Sequence, residues 1–112
     1  MATLTGTLTP FMGSVSVTAT STGQDIFTLL SAIRTKLPHK CCYLAIQADT
    51  TAGAASIYVG NSDVSATICG ANLSGNQAQF VYAFDSNLLI LDQIFLVSST
   101  GTVQCNITVV VR

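Results

Sequence analysis

Glutamate and tryptophan are missing from this chain of 112 residues, and histidine occurs once, as His39. Charged side chains make up 8% of the residues, against about 25% in an ordinary soluble domain. The acids are Asp25, Asp49, Asp63, Asp85 and Asp92; the bases are Arg34, Lys36, Lys40 and Arg112. Each scarcity removes a class of function. Scattered aspartates without a glutamate leave little for paired-carboxylate acid–base chemistry. A formal net charge of −1 gives no basic footprint, so no nucleic-acid partner is expected. Apolar runs such as Leu88–Leu91 fall far short of the roughly 20 residues of a membrane helix, so no membrane partner is expected either. The opening MATLTGTLTPFMG lacks the basic and apolar regions of an export signal. Cys41, Cys42, Cys69 and Cys105 are therefore expected as thiols, and the sequons at Asn72 and Asn106 as bare side chains.

The chemistry-bearing residues that remain do not assemble into a motif. His39 precedes Cys41 and Cys42, but a structural zinc site takes four ligands, and adjacent strand residues point to opposite faces. A Cys–His nucleophilic pair here would lie at a helix C-terminus, whose dipole disfavours a thiolate. No G-x-S-x-G elbow and no glycine-rich phosphate cradle occur, and Asp85-Ser86-Asn87 lacks the rest of a calcium loop. No catalytic residue, metal or cofactor is expected, and the chain is not expected to be an enzyme.

What is present is hydroxyl and hydrocarbon. Serine and threonine together supply 26 residues, and 49% of the chain is hydrophobic. Hydroxyls coat a surface without charge and cost less to desolvate than ions, which suits burial against protein neighbours. Period-two alternation marks half-buried strands in SVSVTAT, CCYLAIQA, SIYVG, QFVYAF and TVQCNITVVV. QIFLVSSTGTVQ reads as a hairpin turning at Ser98 to Gly101. One segment has helical spacing: Ile26, Leu29, Leu30, Ile33 and Leu37, with Asp25 as cap, Arg34 and Lys36 in the last turn and Pro38 as stop. The expectation is an all-β fold, an antiparallel, jelly-roll-like β-sandwich with one short helix over residues 25–37. It forms a single domain over residues 1–112, with 1–12 as an N-terminal arm. Val15, Val17, Leu44, Ile46, Phe80, Phe84, Cys105, Ile107 and Val109 should fill the core, and Ile26, Leu30 and Ile33 should anchor the helix.

The stretch IYVGNSDVSATICGANLSGNQAQF, residues 57–80, is decorated like an active-site loop yet carries a single charge, Asp63. With LDQIFLVSSTGTVQCNITVVV after it, it resembles small structural proteins of tailed phages. The resemblance rests on Tyr58, Val59, Gly60, Ser62 and Val64, then Leu73 and Gly75, then Leu91, Ile94, Phe95 and Val97. It covers the C-terminal half and departs at the cysteine of TICG. It implies a virion structural protein on the capsid surface, assembled in the host cytoplasm. The expected role is capsid decoration (cement), with the major capsid protein and further copies of itself, as a homotrimer, for partners. The alternatives are a tail or head-fibre component, or a carbohydrate-binding β-sandwich stacking sugars on Tyr43, Tyr58 and Tyr82. The expected partner-binding residues fall in two groups. Leu4, Leu8 and Phe11 lie on an uncharged arm able to join a neighbour's sheet edge. Arg34, Lys36 and Lys40 form a basic patch for an acidic partner surface, or a solvated helix end.

Overall fold

Alternating branched and hydroxyl residues build two long strands, and these organise the rest. A computed structural model describes residues 8–19, 23–49, 56–74 and 78–112. Its elements are β1 (Thr9–Thr18), β2 (Gln24–Asp25), α1 (Ile26–Ser31), β3 (Lys40–Cys41), β4 (Tyr43–Asp49) and β5 (Ser56–Gly60). There follow β6 (Ala71–Ser74), β7 (Gln79–Ala83), β8 (Leu89–Ile90), a 3-10 turn (Leu91–Gln93), β9 (Phe95–Ser98) and β10 (Thr102–Val111).

The strands form two four-stranded sheets, β1–β10–β4–β7 and β2–β9–β5–β6, with a short ribbon β3–β8. Every pairing is antiparallel. The strands nest: β1 with β10, β2 with β9, β3 with β8, β4 with β7 and β5 with β6. The chain is thus one long hairpin whose tip is the loop 61–70. It is wound so that β10 also meets β4, and β9 also meets β5. That winding is the jelly roll, and the expected fold class holds.

The core lies between the sheets. Val15, Val17, Leu44, Ile46, Cys105, Ile107 and Val109 are buried from one sheet, opposite Ile57, Val59, Leu73 and Leu96 from the other. Ile26 and Leu30 close one end from α1. Ser98 is the one buried polar residue described; its hydroxyl donates to the Gly101 carbonyl (2.8 Å).

Four expectations are corrected. The helix stops at Ser31 rather than Leu37. The chain continues as turns in which Lys36 takes a left-handed φ of 61°, and Pro38 disfavours a helical Leu37. Arg34 and Lys36 consequently lie beyond the helix. Ile33 does not anchor it: it rests against Gly13 and is 48% exposed. Phe84 lies just past the edge strand β7, stacked on Tyr82 and 43% exposed, while Phe80 is half-buried. Lastly, Ser98 to Gly101 is not a hairpin turn. It carries the chain from β9 in one sheet to β10 in the other, with Gly101 at φ 57°. The expected arm is divided: Thr9–Met12 belong to β1 and pair with Thr108–Val111, whereas residues 1–7 lie outside the described residues.

Candidate partner-binding surface

Strand alternation that buries one face of β1–β10–β4–β7 turns the other outward, and the register fixes what that face presents. One row across it reads Ser14, Asn106, Gln47 and Gln79. The next reads Met12, Thr108, Ala45 and Val81, and the next Pro10, Val110, Tyr43 and Ala83. These rows carry no charge.

Polarity is graded along the strands. At one end the side chains bond to one another: Gln104 Nε2 donates to Ser16 Oγ (2.8 Å), and Asn106 Nδ2 donates to Gln47 Oε1 (3.2 Å). At the other end the face is hydrocarbon and runs into an open hollow of about 280 Å³ lined by Leu8, Tyr43, Phe84 and Arg112 among others. Asn87 fixes the hollow's rim by pairing with the backbone of Arg112 through both its amide atoms (2.9 and 3.0 Å). Met12 and Val81 thus expose hydrocarbon at strand-face positions that ordinarily carry polar groups, and Leu8 exposes more just ahead of β1.

The sequence-predicted residues scatter. Leu8 is exposed on the hollow, whereas Phe11 points inward and packs against the core. Arg34 is exposed, and its Nε donates to the Met12 carbonyl on β1, which ties the guanidinium to that strand without neutralising its charge. Lys36 and Lys40 are exposed, the latter on the β3–β8 ribbon. Beside it His39 is held by Asp92 (Nδ1 to Oδ1, 2.8 Å) and stacks on Phe27 with centroids 3.9 Å apart. Leu4 lies outside the described residues. The outer face itself went unread in the sequence, although its signal was there: Ala45, Val81 and Val110 stand where alternation calls for polar residues.

The decorated loop uses its polar groups on itself. Asn61 Oδ1 accepts from the Asp63 N–H (3.0 Å), and Ser65 Oγ accepts from the N–H groups of Thr67 and Ile68 (3.3 and 3.1 Å). These are side-chain-closed turns. They hold Val64 down on the outer face of the second sheet, where Gly23 and Gly60 leave it room: a Cβ there would come within 2.7 and 3.0 Å of it. Beside Val64 is a second hollow, of about 350 Å³, floored by Tyr58 and Val97 and rimmed by Ser65 and Ser99. Tyr58, Tyr43 and Tyr82 lie on three different faces, so they form no common stacking platform.

The thiols at the core are chemically quiet. Burial pushes Cys41 up to about 11 and Cys105 up to about 12, while Cys69 is exposed in the loop. Among the described residues, no three of His, Cys, Asp and Glu come together as metal ligands. Comparison with family models, with curated proteins and with solved structures finds no match in any of the three.

Proposed function

We propose that the chain is a structural component of a virion that docks on a protein shell and reinforces it without doing chemistry. The observation that carries this reading is the run of three uncharged rows on the outer face of the β1–β10–β4–β7 sheet, hydrocarbon at one end and amide-lined at the other, with Asp49 in the row beyond them. Such a face is desolvated without stripping water from ions, and its amides keep their hydrogen bonds against a protein neighbour. The phage-like residues of the loop and the jelly-roll winding, an architecture that viral capsid domains use, agree with it as analogy. The major capsid protein is the proposed partner.

The test is co-sedimentation of the protein with viral shells that lack it. Met12→Glu and Ala45→Glu place charge in the apolar rows. Each should leave folding unchanged and weaken docking by about tenfold or more, the scale of a charge left unpaired in an interface. Wild-type protein that never sediments with shells overturns the reading. A second reading, a sugar-binding module, draws on the Tyr58 hollow with its serine rim. Glycan binding that Tyr58→Ala abolishes would favour it over the first.

A further inference from the structure

Backbone direction distinguishes the two free edges of the β1–β10–β4–β7 sheet. The Cys42 N–H donates to the Val110 carbonyl (3.0 Å), so Val110 turns its backbone groups toward β4. Pro10 pairs with Val110, and by alternation Pro10 and Met12 turn theirs to the open side of β1. Pro10 has no N–H to offer there, and the Met12 carbonyl is already taken by Arg34. This end of β1 is blunted against strand addition.

The opposite edge is not. The Phe84 N–H donates to the Cys42 carbonyl (2.7 Å) and the Ala48 N–H to the Ala78 carbonyl (3.0 Å). Even-numbered residues of β7 therefore face β4, and Gln79, Val81 and Ala83 aim their N–H and C=O groups outward. Among the described residues no strand, proline or side chain covers them, and β7 carries no charge.

We propose that two copies of this chain join along β7, antiparallel, with Val81 on a two-fold axis. The segment is complementary to itself in that register. Val81 meets its own counterpart, and Gln79 meets Ala83 of the partner subunit. Every outward N–H and C=O of these residues finds a partner. Phe80 then faces Tyr82 of the partner subunit, a cross-strand aromatic pair of the kind that stabilises sheets, and no like charges meet. Two four-stranded sheets become one continuous sheet in which the three uncharged outer rows are doubled. A threefold ring closed through this strand would instead need β7 to meet a different edge on the next copy. Among the described residues the only other edge of that sheet is β1, blunted at its Pro10–Met12 end. The pairing stands independently of the shell-docking reading.

The experiment is light scattering on the full chain from about 1 to about 300 µM, a range that brackets the micromolar affinity of a small interface. Hydrogen exchange is read at the Gln79, Val81 and Ala83 amides over the same range. The expected result is a monomer–dimer equilibrium in which those amides become protected as the dimer fills. Val81→Pro removes an N–H that β4 does not use, and Val81→Lys sets two like charges at the axis. Each should weaken the dimer by about tenfold or more, while Ser16→Lys on β1 leaves it intact. Should Val81→Pro fail to fold, the exposed Val81→Lys still decides. A chain that stays monomeric throughout, or a dimer that survives Val81→Lys, overturns the proposal.

Discussion

Ile107 shows what a single position can be read for. Period-two alternation set it on the inner face, and it is 1% exposed between Gly13 and Ile46 on the neighbouring strands. Ile107→Ala should cost about 2–5 kcal/mol in denaturant unfolding, the loss for a large aliphatic side chain in a packed core. Ile33 and Phe84 show the limit of the same reading. Periodicity states which face a side chain takes, not whether anything lies opposite, and both residues sit where their element has ended. The thiols make a second residue-scale prediction. Alkylation of the native protein should label Cys69 fast and the buried Cys41, Cys42 and Cys105 slowly, with all four labelled in denaturant. Cys105 also links stability to pH. Its thiol is held neutral up to about 12 in the fold, against 9.0 for an ordinary cysteine, so above pH 9 the unfolded chain loses the proton first. The contribution is fully present below that pH and is lost as pH rises toward 12. It amounts to on the order of 4 kcal/mol, and pH-dependent melting curves should show the decline.

Among the elements, α1 was legible at its start and illegible at its end. Asp25 caps it as its sequence position implies: Oδ2 accepts from the Thr28 N–H (3.0 Å) and Oδ1 from the Thr28 hydroxyl (2.8 Å). Asp25→Ala should lower stability by about 1 kcal/mol, measurable as a shift in the denaturant midpoint with unchanged slope. The helix end was misplaced because Ile33 and Leu37 continue the apolar spacing, whereas the left-handed Lys36 that breaks it leaves no compositional mark. The turn at Ser98 to Gly101 failed differently. Its residues announce a change of direction, but nothing local states whether the chain returns to the same sheet or crosses to the other. That choice is made by β1 and β4, which flank β10 from far away in sequence. The outer face of β1–β10–β4–β7 is an element-scale property for the same reason. Its rows draw on four strands, so no single stretch of sequence displays them.

At the scale of the whole molecule, the alternation and turn spacing were enough to indicate a jelly-roll sandwich, while the order of strands within each sheet came only from the structure. That order has a consequence for the birth of the protein. Each ladder of the two sheets joins a strand before the loop 61–70 to a strand after it; β1, β2, β4 and β5 never pair among themselves, nor do β6, β7, β9 and β10. A chain emerging from the ribosome therefore holds half its strands in hand with no ladder to put them in. The tip of the hairpin must leave the exit tunnel before the first native pair among the described strands, β5 with β6, can form. The strand β10, which pairs with both β1 and β4, follows all the other described strands. Until then Val15, Val17, Leu44 and Ile46 are apolar side chains without a core. The inner faces of β1 and β4 therefore wait for β10, which pairs with both, before their ladder can close.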